Sequence, residues 1–227
     1  MAIAKLVLRK IKRLLDKILG TKTDEFYWRF RHLLNKRWSE NYILQDSINN
    51  LHRKFLIDKI STLAPLKNIL EIGCASGPNL YLLSKRFPNS KIYGTDISSK
   101  AIATGKKWFE NKNIKNIFLF TAKAENLKNF PDKSIDVVFT DATLICIGPD
   151  KIGKVIKEML RVVKKAIILI EWHSDLPKSF YNDHWVHNYK LLFNKFISED
   201  NIKFTKIDPG LWGGDWGKLG YIIEVIL

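Results

Sequence analysis

From Lys67 to the C-terminus, short apolar runs alternate with stretches of helical spacing, and this alternation constrains the fold more than any other feature of the chain. Runs such as "IDVVFT" (135–140) and "AIILIEW" (166–172) hold consecutive apolar residues at 137–139 and 166–170, the pattern of strands buried on both faces. Strands are predicted near 67–72, 90–96, 116–121, 135–140, 166–172, 202–208 and 219–226. Helices are predicted near 78–87, 98–111, 151–163 and 185–198. The fold class is therefore α/β, a mostly parallel sheet covered on both faces. The last two strands are joined by "PGLWGGDWGKLG", read as a loop without a helix, which allows the final strand to return antiparallel.

Before this region the texture differs. Ile3, Leu6, Val7, Ile11, Leu14, Leu15 and Ile18 repeat at helical spacing with basic residues between them. Such a helix either docks on the domain or lies on an anionic membrane surface. Residues 24–60 read as further helix, dense in aromatic and basic groups ("FYWRFRHLLNKRWSENYI"). The formal charge is +15, and residues 1–60 contribute +8 of it, from 14 Lys and Arg against 6 Asp and Glu. An anionic partner is the corresponding expectation. The division is residues 1–60 as a basic, aromatic helical cap and 61–227 as the main domain. No run approaches the roughly 18 apolar residues of a membrane span, and charges from Lys5 to Arg13 interrupt any signal-peptide core. The expected location is cytoplasmic, with peripheral membrane attachment through residues 3–18 as a variant. Cys74 and Cys146 stand in separate motifs without metal-ligand spacing, so no metal is expected.

The first strand of the domain opens "ILEIGCASGPNLYLL" (69–83). Strand, glycine loop and helix N-terminus form the ligand-binding turn of a doubly wound sheet. Nineteen residues beyond Gly77, the second strand ends at Asp96, where a carboxylate can accept hydrogen bonds from a ribose diol. The dinucleotide fingerprint G-x-G-x-x-G fails here, because Ala75 and Pro78 stand where its second and third glycines belong.

Glu71-x-Gly73-x-x-x-Gly77 instead resembles the first motif of class I S-adenosylmethionine-dependent methyltransferases. "IYGTDISSKAI" is similar to the second motif, and "AKAENLKNFPDKSIDVVFTDATLICI" to the segment running from the third strand through the fourth. The resemblance covers about residues 67–172. It implies a Rossmann-like, doubly wound seven-stranded sheet with an antiparallel last strand, and S-adenosyl-L-methionine as cofactor. It further implies a loop of Glu71, Gly73, Cys74, Ala75 and Gly77 beneath the methionine part, Asp96 on the ribose and Ile97 against the adenine. Many relatives carry a glycine at Ala75 and an acid at Lys123. Lysine has donors only, so the backbone of Lys123 or Ala124, or the Glu125 carboxylate, is expected to read the adenine.

Trp28, Trp38, Trp172, Trp185, Trp212 and Trp216 belong to segments around the expected mouth, which suggests an aromatic acceptor pocket; the alternative is that several cover the sheet edge. His173, after the fifth strand, is the first candidate for general base. Asp141 ends the fourth strand and is expected to orient cofactor or acceptor. His184 and His187 form a second candidate pair. "DATL" after the fourth strand lacks the Asp/Asn-Pro-Pro-aromatic signature of base N-methylation.

Three readings follow. The first is methyl transfer to a hydroxyl or amine of a small molecule, including saccharide or lipid-associated acceptors. The second is an RNA methyltransferase, supported by Arg29, Arg31, Arg37 and Arg53 interleaved with Phe26, Tyr27, Trp28 and Trp38. The third is a cofactor-binding partner subunit without turnover.

Overall fold

The computed structural model describes residues 22–176 and 180–227. The amphipathic stretch at 3–18 lies outside them. Four helices precede the sheet: α1 (Lys22–Leu34), α2 (Trp38–Asn41), α3 (Gln45–Ile48) and α4 (Leu51–Ser61). The helix expected over 24–60 is thus broken, with extended backbone at Leu44 and Asn50 separating the pieces.

The domain then runs β1 (Asn68–Ile72), α5 (Pro78–Arg86), β2 (Lys91–Asp96), α6 (Ser99–Asn111), β3 (Ile117–Thr121), β4 (Ile135–Asp141), α7 (Pro149–Val162) and β5 (Val163–Trp172). A hairpin of β6 (Phe180–Tyr181) and β7 (His184–Trp185) leads to α8 (Tyr189–Phe193), β8 (Ile202–Lys206), α9 (Asp215–Leu219) and β9 (Gly220–Ile226). The sheet order is β3-β2-β1-β4-β5-β9-β8, and β9 runs antiparallel to both its neighbours. The chain reverses its direction of travel across the sheet between β1 and β4. That switch point is where ligands of such sheets bind.

Consecutive strand residues face opposite sides, so each strand feeds two cores. Ile168 and Ile170 of β5 join Leu56 and Ile60 of α4 and Leu80 and Leu83 of α5. Ile167 and Leu169 join Val155, Ile156 and Met159 of α7, together with Tyr189 and Phe193 of α8. The 3–4 residue spacing along α7 from Ile152 to Val162 supplies the stripe that docks there.

Two expectations after β5 are corrected. The helix placed over 185–198 is confined to Tyr189–Phe193, because Asn182 (φ +45°) and Asp183 (φ +65°) close a tight hairpin that draws His184 and Trp185 into strand pairing. The loop read as free of helix contains α9. Among the described residues, no helix is long and apolar enough to cross a membrane.

Candidate functional site

The loop after β1 is shaped by its backbone. Gly73 sits at φ +77°, and a Cβ placed there would lie 2.2 Å from Thr143 Oγ1. Gly77, at φ +86°, turns the chain into α5, which Pro78 opens. The amides of Gly73 and Cys74 both donate to Thr95 O (2.7 and 3.0 Å), tying the loop to the end of β2. There Asp96 accepts from Ala75 N (2.9 Å) and Ser98 N (2.8 Å). Burial pushes the Asp96 carboxyl up, and these two amides only partly offset it. Ala75 itself adopts φ +48°, the left-handed region that glycine enters without cost. The bond from its amide to Asp96 holds it there.

Behind the loop lies a charged cluster. Asp141, at the end of β4, accepts on Oδ2 from Arg53 Nη1 (2.9 Å) and Asn79 Nδ2 (3.0 Å), and His52 Nε2 stands 3.3 Å away. Burial pushes the Asp141 carboxyl up, but Arg53 and His52 outweigh it and hold it at about 2. Glu71 is different. It has one bond, from Asn79 Nδ2 (2.7 Å), and burial raises it to about 8. Two buried oxygens here, Glu71 Oε2 and Asp141 Oδ1, have no hydrogen-bond partner in the protein. Unpartnered buried acceptors are costly, and a ligand carrying a cationic group would satisfy them. With Asp96 placed for a diol, the residues present fit an adenosyl sulfonium compound.

The cleft above has a volume of about 250 Å³. Trp28, Trp38 and Tyr42 of the cap form one wall, with Trp38 edge-on to Tyr42 (5.7 Å) and Arg31 over the Trp28 ring (4.5 Å). Trp212 closes another side, stacked between His52 (3.7 Å) and Trp216 (3.9 Å). The loop after β4 supplies Ala142, Thr143, Cys146 and Ile147. That loop is fixed by Glu171 of β5, a fully buried carboxylate that accepts from Thr140 Oγ1 and from the amides of Thr143, Leu144 and Ile145. Its burial outweighs these bonds and raises its pKa to about 7.

Of the residues singled out in the sequence, the structure brings Glu71, Gly73, Cys74, Ala75, Asp96, Ile97, Ala124, Glu125, Asp141, Trp28, Trp38 and Trp212 together around this cleft. Gly77, Lys123, Trp172, His173, His184 and Trp216 are not in its lining. Lys123 is ion-paired to Glu25 at 2.6 Å. Trp172 is buried beside Tyr181, His184 and Trp216.

His173, the first candidate for general base, lies outside this cleft. Its amide bonds Leu219 O, and its ring packs on Phe204 (4.6 Å) and Tyr221 (5.2 Å). Its Nδ1 accepts from Tyr189 N (3.2 Å), and Nε2 lies 3.3 Å from Asp175. Burial lowers its pKa. His187, likewise lowered by burial, faces the carbonyls of Leu144 and Ile147.

His52, Arg53, Asn79 and Glu171 escaped the sequence reading as site residues. Arg53 was visible only as one basic residue among many, and Glu171 only as the acid in "IEW".

Residues 69–166 match the family model described as a methyltransferase domain. The chain is similar to malonyl-[acyl-carrier protein] O-methyltransferase 1 of Ilyobacter polytropus, at 40% identity over 78 residues, covering 34% of this chain and 27% of that protein. It is also similar to the tRNA N(3)-methylcytidine methyltransferase of Schizosaccharomyces pombe, at 27% identity over 153 residues, covering 65% of this chain and 47% of that one. The chain thus spans less than half the length of either relative. Among solved structures, magnesium protoporphyrin IX methyltransferase from Synechocystis PCC 6803 with bound SAH aligns at a TM-score of 0.63. That alignment covers 89% of this chain and 99% of the other at 15% identity, which shows a shared fold.

Proposed function

We propose that this chain, which matches a methyltransferase domain model over residues 69–166, is a class I S-adenosylmethionine-dependent enzyme that methylates an oxygen or nitrogen of a small acceptor admitted to an aromatic mouth. The supporting observation is the closure of the cleft. Trp28, Trp38 and Tyr42 from the cap and Trp212 from the opposite loop bound a volume of about 250 Å³, at or below the low end of sites for small ligands. A cofactor bound along Gly73, Asp96 and Ile97 would leave the acceptor to meet the methyl group beside Ala142, Thr143 and Cys146, which line the same cleft.

Bound S-adenosylmethionine supplies an electrophilic methyl group on a sulfonium. The chain's residues position it. Asp96 would hold the ribose hydroxyls, Ile97 would wall the adenine, and the unpartnered oxygens of Glu71 and Asp141 would take the ammonium group. Arg53, fixed by Asp141, Asn79 and Ser47 O, would offer a cation to the methionine carboxylate. The aromatic wall excludes water from the transfer path.

Similarity to a tRNA methyltransferase favours RNA as the second reading. Against it, Arg53 is buried beside Asp141 within the cleft, out of reach of a polymer's phosphate backbone. Labelled cofactor, incubated with enzyme and separated pools of small metabolites and RNA, tests the choice. Label in the metabolite pool supports the proposal. Label confined to RNA replaces it with the second reading, and binding without transfer in any pool leaves a non-catalytic subunit.

A further inference from the structure

We infer that Glu25, a cap residue far from the cofactor motifs in sequence, supplies the hydrogen-bond acceptor that reads the 6-amino group of the cofactor's adenine. This rests on the cofactor assignment above and goes beyond it by naming a reader outside the methyltransferase domain.

Three observations carry the inference. Glu25 lines the same cleft as Ile97, Ala122 and Ala124, the residues around the expected adenine position. Its carboxylate is held there by two lysines, with Arg29 Nη2 also 3.4 Å from Oε1. Lys123 Nζ reaches Oε1 at 2.6 Å, and Lys151 Nζ reaches Oε2 at 2.8 Å. The preceding residue is anchored as well, since Asp24 Oδ2 accepts from Trp185 Nε1 (2.9 Å). Successive cap residues are therefore pinned to three separate elements of the domain, which holds the carboxylate at the cleft beside Ala122 and Ala124 rather than leaving it to swing into solvent.

The charge state suits the task. Burial pushes the Glu25 carboxyl up, but the two lysines outweigh it and hold it below the ordinary carboxylate range. An ionised carboxylate accepts only, with about four lone-pair sites. It can satisfy an exocyclic amino group while still holding its lysines, and it repels a carbonyl oxygen at the same position. Lys123, whose side chain can only donate, acts as a positioning residue by holding that acceptor in place.

Isothermal titration calorimetry with S-adenosylhomocysteine and its 6-oxo analogue S-inosylhomocysteine tests this on the full chain. The wild type is expected to favour the amino compound by about tenfold or more, the scale of a hydrogen bond to a charged group. Glu25→Gln offers both a donor and an acceptor, so the preference should fall to within about threefold. Glu125→Gln, at another carboxylate lining the cleft and the reader expected from the sequence, tests the rival assignment, and on this inference the preference survives it. A Glu25→Gln protein that loses affinity for both compounds alike, keeping the full preference, overturns the inference and makes Glu25 a cap tie. So does loss of the preference in Glu125→Gln alone. If Glu25→Gln does not fold by circular dichroism, Glu25→Asp serves, since withdrawing the carboxylate by one methylene should lower the preference and an unchanged ratio refutes the claim. Failure of the wild type to bind either compound sinks the cofactor reading itself. Binding without a Glu25-dependent preference sinks this inference alone.

Discussion

Replacing Asp141 by Asn tests the charged cluster behind the loop. In the native protein Asp141 is the counter-charge of Arg53, both are nearly buried, and Arg53 Nη1 lies 2.9 Å from Asp141 Oδ2. The Asp141 carboxyl stands at about 2 against an ordinary 3.8. A displacement of nearly two pKa units corresponds to about 2–3 kcal/mol of folding free energy at neutral pH. Breaking a buried pair by removing one partner costs about 3–5 kcal/mol. The amide oxygen of Asn still accepts from Arg53 and Asn79, so a loss of about 2–4 kcal/mol is expected, and a melting temperature about 5–15 °C lower. Urea unfolding at pH 7 measures it.

The sign of the pH dependence is fixed. A carboxyl depressed in the folded state stabilises the protein above its unfolded pKa, and that contribution fades as pH falls from about 3.8 toward 2. The gap between wild type and variant should therefore be full at pH 7 and narrow below pH 4. A gap under about 0.5 kcal/mol at pH 7, the size of an ordinary surface change, would refute the pairing of Asp141 with Arg53. So would a gap that does not narrow in acid.

Three further outcomes are expected. Glu71 is raised from 4.5 to about 8, so ligand-free protein should lose stability as pH rises through that window; Glu71→Gln should abolish the decline, read as melting temperature against pH. His173→Ala should cost about 2 kcal/mol by removing a buried ring and the acceptor of Tyr189 N, while the pH profile of turnover stays unchanged; a displaced profile would restore its role as base. Gly73→Ala drives a methyl group into Thr143 at a backbone angle that disfavours side chains; it should destabilise by about 1–3 kcal/mol and weaken cofactor binding at least tenfold in calorimetry.

The amino-acid sequence by itself determined what depends on neighbours along the chain. Consecutive apolar residues at 137–139 and 166–170 read as strands buried on both faces, and the glycine loop with Asp96 at the next strand end marked the ligand turn, because these signals lie within one strand–helix–strand unit. The hairpin at Asn182-Asp183 was legible in principle from its turn residues but was hidden beneath an apolar run of helical spacing. Only the tertiary structure decided which charges meet. Arg53 and Asp141 are 88 residues apart, and Glu25 reaches Lys123 from a helix outside the recognisable motifs. His173 shows the reverse. Its position after β5 looked catalytic, but the chain runs on beside His187 and carries the ring to Phe204 and Tyr221. Local periodicity reports which side of an element is apolar, whereas the partner of a buried charge is chosen by how the elements pack.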